Sequence, residues 1–195
     1  MFPGLVLAIV ARLYESGHVV PAFGESSGGT MTDVTTVFGS LRDHQKGRIE
    51  IISDDPKNYV FSNVFEVAGK SKPYERVAVG KNFEYVIECL RAEGTSPWYV
   101  CAHDEFALVM DGKVEVRLRK IDDRTVPPPD KNGAVLVAGE PAGRKMGTIT
   151  AGRGHMALLP RGAAYQFHAD RPGVLTLQTI QGDLTIERWA DICLK

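Results

Sequence analysis

The chain has 195 residues, of which 44% are hydrophobic and 24% charged, and a formal net charge of −1. That length and composition describe one ordinary globular domain with a substantial core. Near-neutral charge without blocks of like sign argues against a nucleic-acid footprint and against a charged tail.

The chain opens with "GLVLAIVA" (Gly4 to Ala11), an apolar run that Arg12 closes before it could span a bilayer. It lacks the basic lead and the small-residue cleavage pattern of a signal peptide, so no membrane attachment is expected. A polar loop, "GESSGGT", then leads to Met31. We read residues 1–30 as an extension, not necessarily native, upstream of a single domain over 31–195; the rival reading is an amphipathic partner-binding segment.

After Met31 comes "RIEII" (Arg48 to Ile52), a short strand ended by "SDDP". Asn58 to Gly69 mixes Val and Phe without a clear period and specifies neither helix nor strand. "YERVAVG" and "FEYVIECLRA" are rich in β-branched and aromatic residues, with Lys81-Asn82 as the turn between them. "WYVCA", "FALVMDG" and "KVEVRLRKI" follow, and Asp111-Gly112 predicts a tight hairpin. In its second strand Val114, Val116 and Leu118 alternate with Glu115, Arg117 and Arg119, so one face is buried and the other wet. Arg124 to Lys145, with three consecutive prolines, reads as a surface excursion. "MGTITAG", "HMALLP", "AAYQFHA", "GVLTLQTI" and "DLTIERW" complete the strands. Many short strands punctuated by Gly and Pro predict an all-β fold, an antiparallel barrel or jelly roll in a single domain. The three cysteines, Cys89, Cys101 and Cys193, have no metal spacing; Cys89 and Cys101 lie in apolar runs and read as buried, reduced thiols, which favours the cytoplasm.

Two stretches follow the pattern of the cupin motifs. In the first, G-x5-H-x-H-x(3,4)-E-x6-G, Glu105 and Gly112 are in place. The histidine pair would fall at Tyr99 and Cys101, or with the longer spacing at Trp98 and Val100. In the second, G-x5-P-x-G-x2-H-x3-N, Gly154, Pro160 and Gly162 match, but Tyr165 stands for the histidine and Ala169 for the asparagine. The turn residues survive and the ligands do not. Of four ligands only Glu105 remains, and a tight Fe, Mn or Zn site needs three or four. His103 and His168 are displaced from the expected face and read as turn and strand residues. Cys101, His103 and Glu105 have an i, i+2, i+4 pattern, but a turn at Ala102 to Asp104 works against their meeting. The expectation is a cupin barrel without a metal, in which Tyr165 fills the vacated cavity with its hydroxyl on Glu105. A buried Glu105 without a cation needs such a donor or must protonate.

In order along the chain, "DDPKNYVFSNVFEVA", "VAVGKNFEYVIECLRAEG", "SPWYVCAHDEFALVMDGKVEV", "GHMALLPRGAAYQF" and "LQTIQGDLTIERWADICL" resemble the small subunit of two-component hydroquinone 1,2-dioxygenases. The resemblance covers Val37 to Leu194. It implies a cupin subunit with no metal and no catalytic residue of its own. Fe(II) would sit in a large cupin partner, in an α2β2 assembly that opens hydroquinone to 4-hydroxymuconic semialdehyde. Within that frame Trp98 is the candidate contact to a phenolic substrate at the interface, an apolar wall with one N–H donor. Tyr99, Cys101, Glu105 and Tyr165 form the degenerate cupin site. Two alternatives stay open from the residues alone. One is a stand-alone enzyme using Glu105, His103, His168 and Cys101; the other is a metal-free cupin binding a small aromatic or sugar.

Overall fold

The computed structural model describes residues 39–44 and 63–192. "RIEII", Cys193 and the proposed 1–30 extension lie outside the described residues. The strands are β1 (Arg76–Asn82), β2 (Tyr85–Thr95), β3 (Trp98–Cys101), β4 (Glu105–Asp111), β5 (Lys113–Lys120), β6 (Ala134–Val137), β7 (Arg144–Gly152), β8 (Met156–Leu159), β9 (Ala163–Ile180) and β10 (Thr185–Ile186). Among the described residues a helix, α1 (Val64–Lys70), precedes them, and a short helix at Trp189–Ile192 follows.

All ten strands belong to one hydrogen-bonded sheet, which β9 folds into two leaves. Residues 163–168 of β9 pair with β5 and, around Ala164 and Tyr165, with β3. Residues 173–180 pair with β2, and residues 174–178 also pair with β4. One leaf is therefore β10-β1-β2-β9-β4-β8 and the other β6-β3-β9-β5-β7. The inner faces meet in a core that includes Leu90, Leu159, Leu175 and Leu177 from the first leaf and Val114, Val116, Tyr165 and Phe167 from the second. This is the all-β, cupin-type jelly roll.

The fold departs from the sequence reading where long-range pairing decides. "AAYQFHA" and "GVLTLQTI" are one strand, bent at Pro172-Gly173 rather than broken there. Asp111-Gly112 does not make a paired hairpin, because β4 and β5 both run antiparallel to β9 on either side of that bend. Gly112 has φ 79°, a Cβ on it would meet Gly173 Cα at 3.0 Å, and one on Gly173 would meet the Asp111 carbonyl at 2.7 Å. The two bends nest, and only glycines let them. The proline-rich excursion contains β6, whose Val135 and Val137 pair with β3 across from Val100 and Trp98. β1 runs through Lys81-Asn82, and the turn falls at Phe83, which has φ 54°.

The ambiguous segment before β1 holds α1. Asn63 caps it by accepting from the Phe65 amide at 3.0 Å. Phe65, Val67 and Ala68 pack on the outward residues Val77, Val79, Cys89 and Val174. Tertiary burial, rather than periodicity, makes seven residues helical here. Beyond α1 the outer face of the first leaf is apolar, and among the described residues no element covers it. Phe106 lies across from Leu158 and, through Gln178, in line with Ile87; Met156 and Tyr85 extend the band. Phe106 and Ile87 are 42% and 41% exposed, Leu158 46%, Tyr85 53% and Met156 63%.

Candidate functional site

In β1, Val77 and Val79 face out beneath α1 while Arg76 and Ala78 face in; Ala78 pairs with Glu88 of β2. That places a guanidinium inside the barrel, 3% exposed, between two carboxylates that are 1% (Glu88) and 0% (Glu105) exposed. Arg76 Nε donates to Glu88 Oε2 at 2.6 Å, Nη2 to Glu105 Oε1 at 2.7 Å and Nη1 to the Tyr165 hydroxyl at 3.1 Å. The Tyr165 hydroxyl donates in turn to Glu105 Oε2. Thr185 Oγ1 donates to Glu88 Oε1 at 2.6 Å. Every oxygen of both buried carboxylates has a donor, which is the condition for keeping such charges out of water. The Tyr99 ring sits 5.5 Å from the guanidinium carbon, adding its face to the cage.

The ionisation states follow from this arrangement. Burial pushes the Glu105 carboxyl up, but Arg76, with hydrogen bonds from Cys101, Thr179 and Tyr165, outweighs it and holds the group below the ordinary carboxylate value. Burial opposes the Arg76 charge, yet Tyr165, Glu105 and Glu88 keep its proton bound well above the usual range. Burial, reinforced by Glu105, raises the Tyr165 hydroxyl and the Cys101 thiol, so both stay protonated. Burial lowers the His103 imidazole and keeps it neutral.

The residues picked out in sequence divide by strand parity. Tyr99 and Cys101 face inward in the core and, with Glu105 and Tyr165, surround Arg76. The shorter motif spacing is therefore the one the barrel uses. Trp98 lies on the opposite face of β3, so its side chain does not point where a metal ligand would. It packs outward beside Val100, Ile121 and Ala164. Arg119 stacks over its ring at 5.9 Å, in a cleft of about 410 Å3 shared with Arg117, Glu140 and Gln166. His168 is also on that outer side, bonded to Thr95 at 2.8 Å and to Asp170 at 3.1 Å, away from the barrel interior. His103 does turn inward: a bend at Ala102-His103 brings its Nε2 to Thr179 Oγ1 at 3.0 Å.

That bend gathers Cys101, His103 and Glu105, whose donor atoms all lie within 4.8 Å of one another. As donor types they suit a divalent ion. Their surroundings do not. Both Glu105 oxygens are committed to Arg76 and Tyr165, His103 is bonded to Thr179, and Cys101 holds its proton. A divalent ion on Glu105 would face the guanidinium at about 4 Å, a repulsion on the order of 8 kcal/mol at the effective dielectric of such a site. The residues present do not fit iron.

Sequence reasoning missed Arg76, Glu88 and Thr185. The signal was a Glu at the inward position of "VIECL", between Val86 and Leu90, which demanded a buried cationic partner.

No protein-family model matches the chain, and neither does any curated protein. Solved structures do match. Hydroquinone 1,2-dioxygenase PnpCD in complex with Cd2+ and 4-hydroxybenzonitrile has a chain 54% identical, with TM-score 0.75, covering 83% of this chain and 98% of that one. Hydroquinone 1,2-dioxygenase from Sphingomonas sp. TTNP3 with 4-hydroxybenzoate bound has a chain 59% identical, with TM-score 0.77, covering 84% and 99%. A second, longer chain, in PnpCD in complex with Fe3+, matches at 11% identity with TM-score 0.50, over 74% of this chain and 40% of that one. At that identity the longer chain shares the fold alone. At 54–59% identity over nearly the whole of the shorter chains, this protein belongs to the hydroquinone 1,2-dioxygenase family, as the counterpart of the shorter of its two kinds of chain.

Proposed function

We propose that this chain is the non-catalytic subunit of an Fe(II)-dependent dioxygenase that opens hydroquinone to 4-hydroxymuconic semialdehyde, working in the cytoplasm as part of an α2β2 assembly with a larger cupin chain. The observation that carries the reading is Arg76. A guanidinium bonded to both Glu88 and Glu105 fills the barrel where a catalytic cupin needs open coordination positions. The ring-opening chemistry belongs to Fe(II) held by the larger chain. The relatives bind 4-hydroxybenzonitrile and 4-hydroxybenzoate, both para-substituted phenols, which supports a phenolic substrate here.

This chain's own contribution is binding and exclusion of water. Trp98, half-buried on the outer face of the second leaf, offers an indole wall and an N–H to a phenol held across the interface. Arg119, stacked on it and ion-paired to Glu140, fixes the ring's orientation. The apolar band of the first leaf supports association with the larger chain. With side chains of about 200 Å2 as the scale, the exposures of Phe106, Leu158, Ile87, Tyr85 and Met156 amount to roughly 500 Å2, the upper end of what a monomer leaves open.

The test is co-expression with the larger cupin chain and purification on a tag carried by this chain alone. A one-to-one complex with iron and hydroquinone-dependent O2 uptake is expected, and no uptake from this chain by itself. Ring cleavage by the isolated chain with iron and hydroquinone sinks the proposal. Elution alone and metal-free turns the reading to a stand-alone cupin that binds a small aromatic or sugar.

A further inference from the structure

We infer that Arg76 is the barrel's built-in cation, and that it closes a latent divalent-metal site made by Cys101, His103 and Glu105. This deepens the metal-free reading above by naming what stands in the metal's place. Three independent features of the geometry carry it. The three donor atoms are already gathered within 4.8 Å, Cys101 and Glu105 buried and His103 half-buried. Such convergence is not what a barrel filled only for packing requires. Glu105, the carboxylate that survives from the first motif, spends one oxygen on Arg76 Nη2 at 2.7 Å rather than on an ion. And the two carboxylates that meet there, Glu88 and Glu105, need a cation between them when buried, and Arg76 is the cation that the described residues supply.

The choice of arginine follows from shape. Three different nitrogens of one planar group reach Glu88, Glu105 and Tyr165 in three directions. A lysine ammonium is a single point and could not hold all three at these distances. Removing the guanidinium while keeping the bulk of the side chain, as in Arg76→Met, leaves Glu88 and Glu105 without a counter-charge and frees a Glu105 oxygen beside Cys101 and His103. A divalent ion restores the balance there. The latent site is thus held shut by one side chain, 29 residues in sequence from the carboxylate it blocks.

The experiment is Co2+ titration of the full chain, read as metal per chain after gel filtration and as the cobalt–thiolate charge-transfer absorption that Cys101 would give. Wild type is expected to take up no stoichiometric Co2+ and to show no band. R76M is expected to bind one Co2+ with the band, and R76M/C101S to lose the band. If wild type binds one Co2+ with the band, this inference and the metal-free reading both fall. If wild type stays metal-free but folded R76M binds none, this inference alone falls. Should R76M be insoluble, refolding with and without Zn2+ reads the same seat: recovery of soluble chain only with the metal supports the proposal, and failure in both overturns it.

Discussion

Replacing Tyr165 by phenylalanine removes one oxygen from a fully buried ring and leaves its packing against Tyr99 and Phe167 unchanged. No cavity is created, so the cost is that of the hydrogen bonds alone. Glu105 Oε2 loses its donor and Arg76 Nη1 loses its acceptor at 3.1 Å. A hydrogen bond to a charged group contributes about 1.5–3 kcal/mol, and a buried charged atom left without a partner costs at least as much as a neutral one. With Arg76 Nη1 left without its acceptor and Glu105 losing one donor while keeping Arg76 at 2.7 Å and the hydrogen bonds from Cys101 and Thr179, the expected loss is about 3 kcal/mol. That is roughly a 150-fold shift in the folding equilibrium, or a fall in Tm of about 6–12 °C for a domain of this size. Urea unfolding of wild type and Tyr165→Phe, with equal m values, measures it. A loss below about 1 kcal/mol refutes the closed network, because the hydroxyl would then be no better paired in the barrel than in water.

Three further outcomes follow from other parts of the molecule. Trp98→Ala should raise the KM for hydroquinone of the assembled enzyme several-fold with kcat less affected and assembly intact; an unchanged KM removes Trp98 from the substrate's surroundings. Phe106→Glu, a charge in the middle of the apolar band of the first leaf, should abolish co-purification with the larger chain without altering the circular dichroism of this one; an intact complex places the interface elsewhere. Acid should destabilise the chain through two groups. His103 and Glu105 both have folded-state values lowered from 6.5 and 4.5, so the unfolded chain takes up protons first. Stability is complete above those values and falls as pH drops through the lower, folded ones. Urea midpoints that stay flat or rise as pH falls from neutral to about 4 contradict the assignment.

How much of this was legible before any coordinates depended on the range of the interaction. Gly112, Pro160 and Gly162 announce the barrel because turn geometry is local, and the same glycine–proline frame located Glu105 and Tyr165. Strand parity was the weak point. Trp98 and Tyr99 are adjacent, and the motif's variable spacing allowed either to face in; only the pairing of Tyr99 with Tyr165 settles which does. In sequence a turn at Ala102 separates His103 from its neighbours, whereas in the fold the bend there carries the imidazole inward to Thr179. Arg76 stayed hidden for a different reason. In "YERVAVG" a lone arginine beside valines looks like the wet face of a strand, but the outer face there is covered by α1, which propensity does not specify. Its partners Glu88, Glu105 and Tyr165 lie 12, 29 and 89 residues away.

The bend in β9 also bears on how the chain is made. Residues 163–180 supply the central strand of both leaves, and they come after every strand except β10. Until they have been synthesised, the first leaf exists as β1-β2 and β4-β8, and the second as β3-β6 and β5-β7. Each of these four ribbons has an unpaired edge waiting for the same strand. Residues 163–168 are made before residues 173–180, so the second leaf gains its central strand first and the first leaf follows from the same strand after the bend.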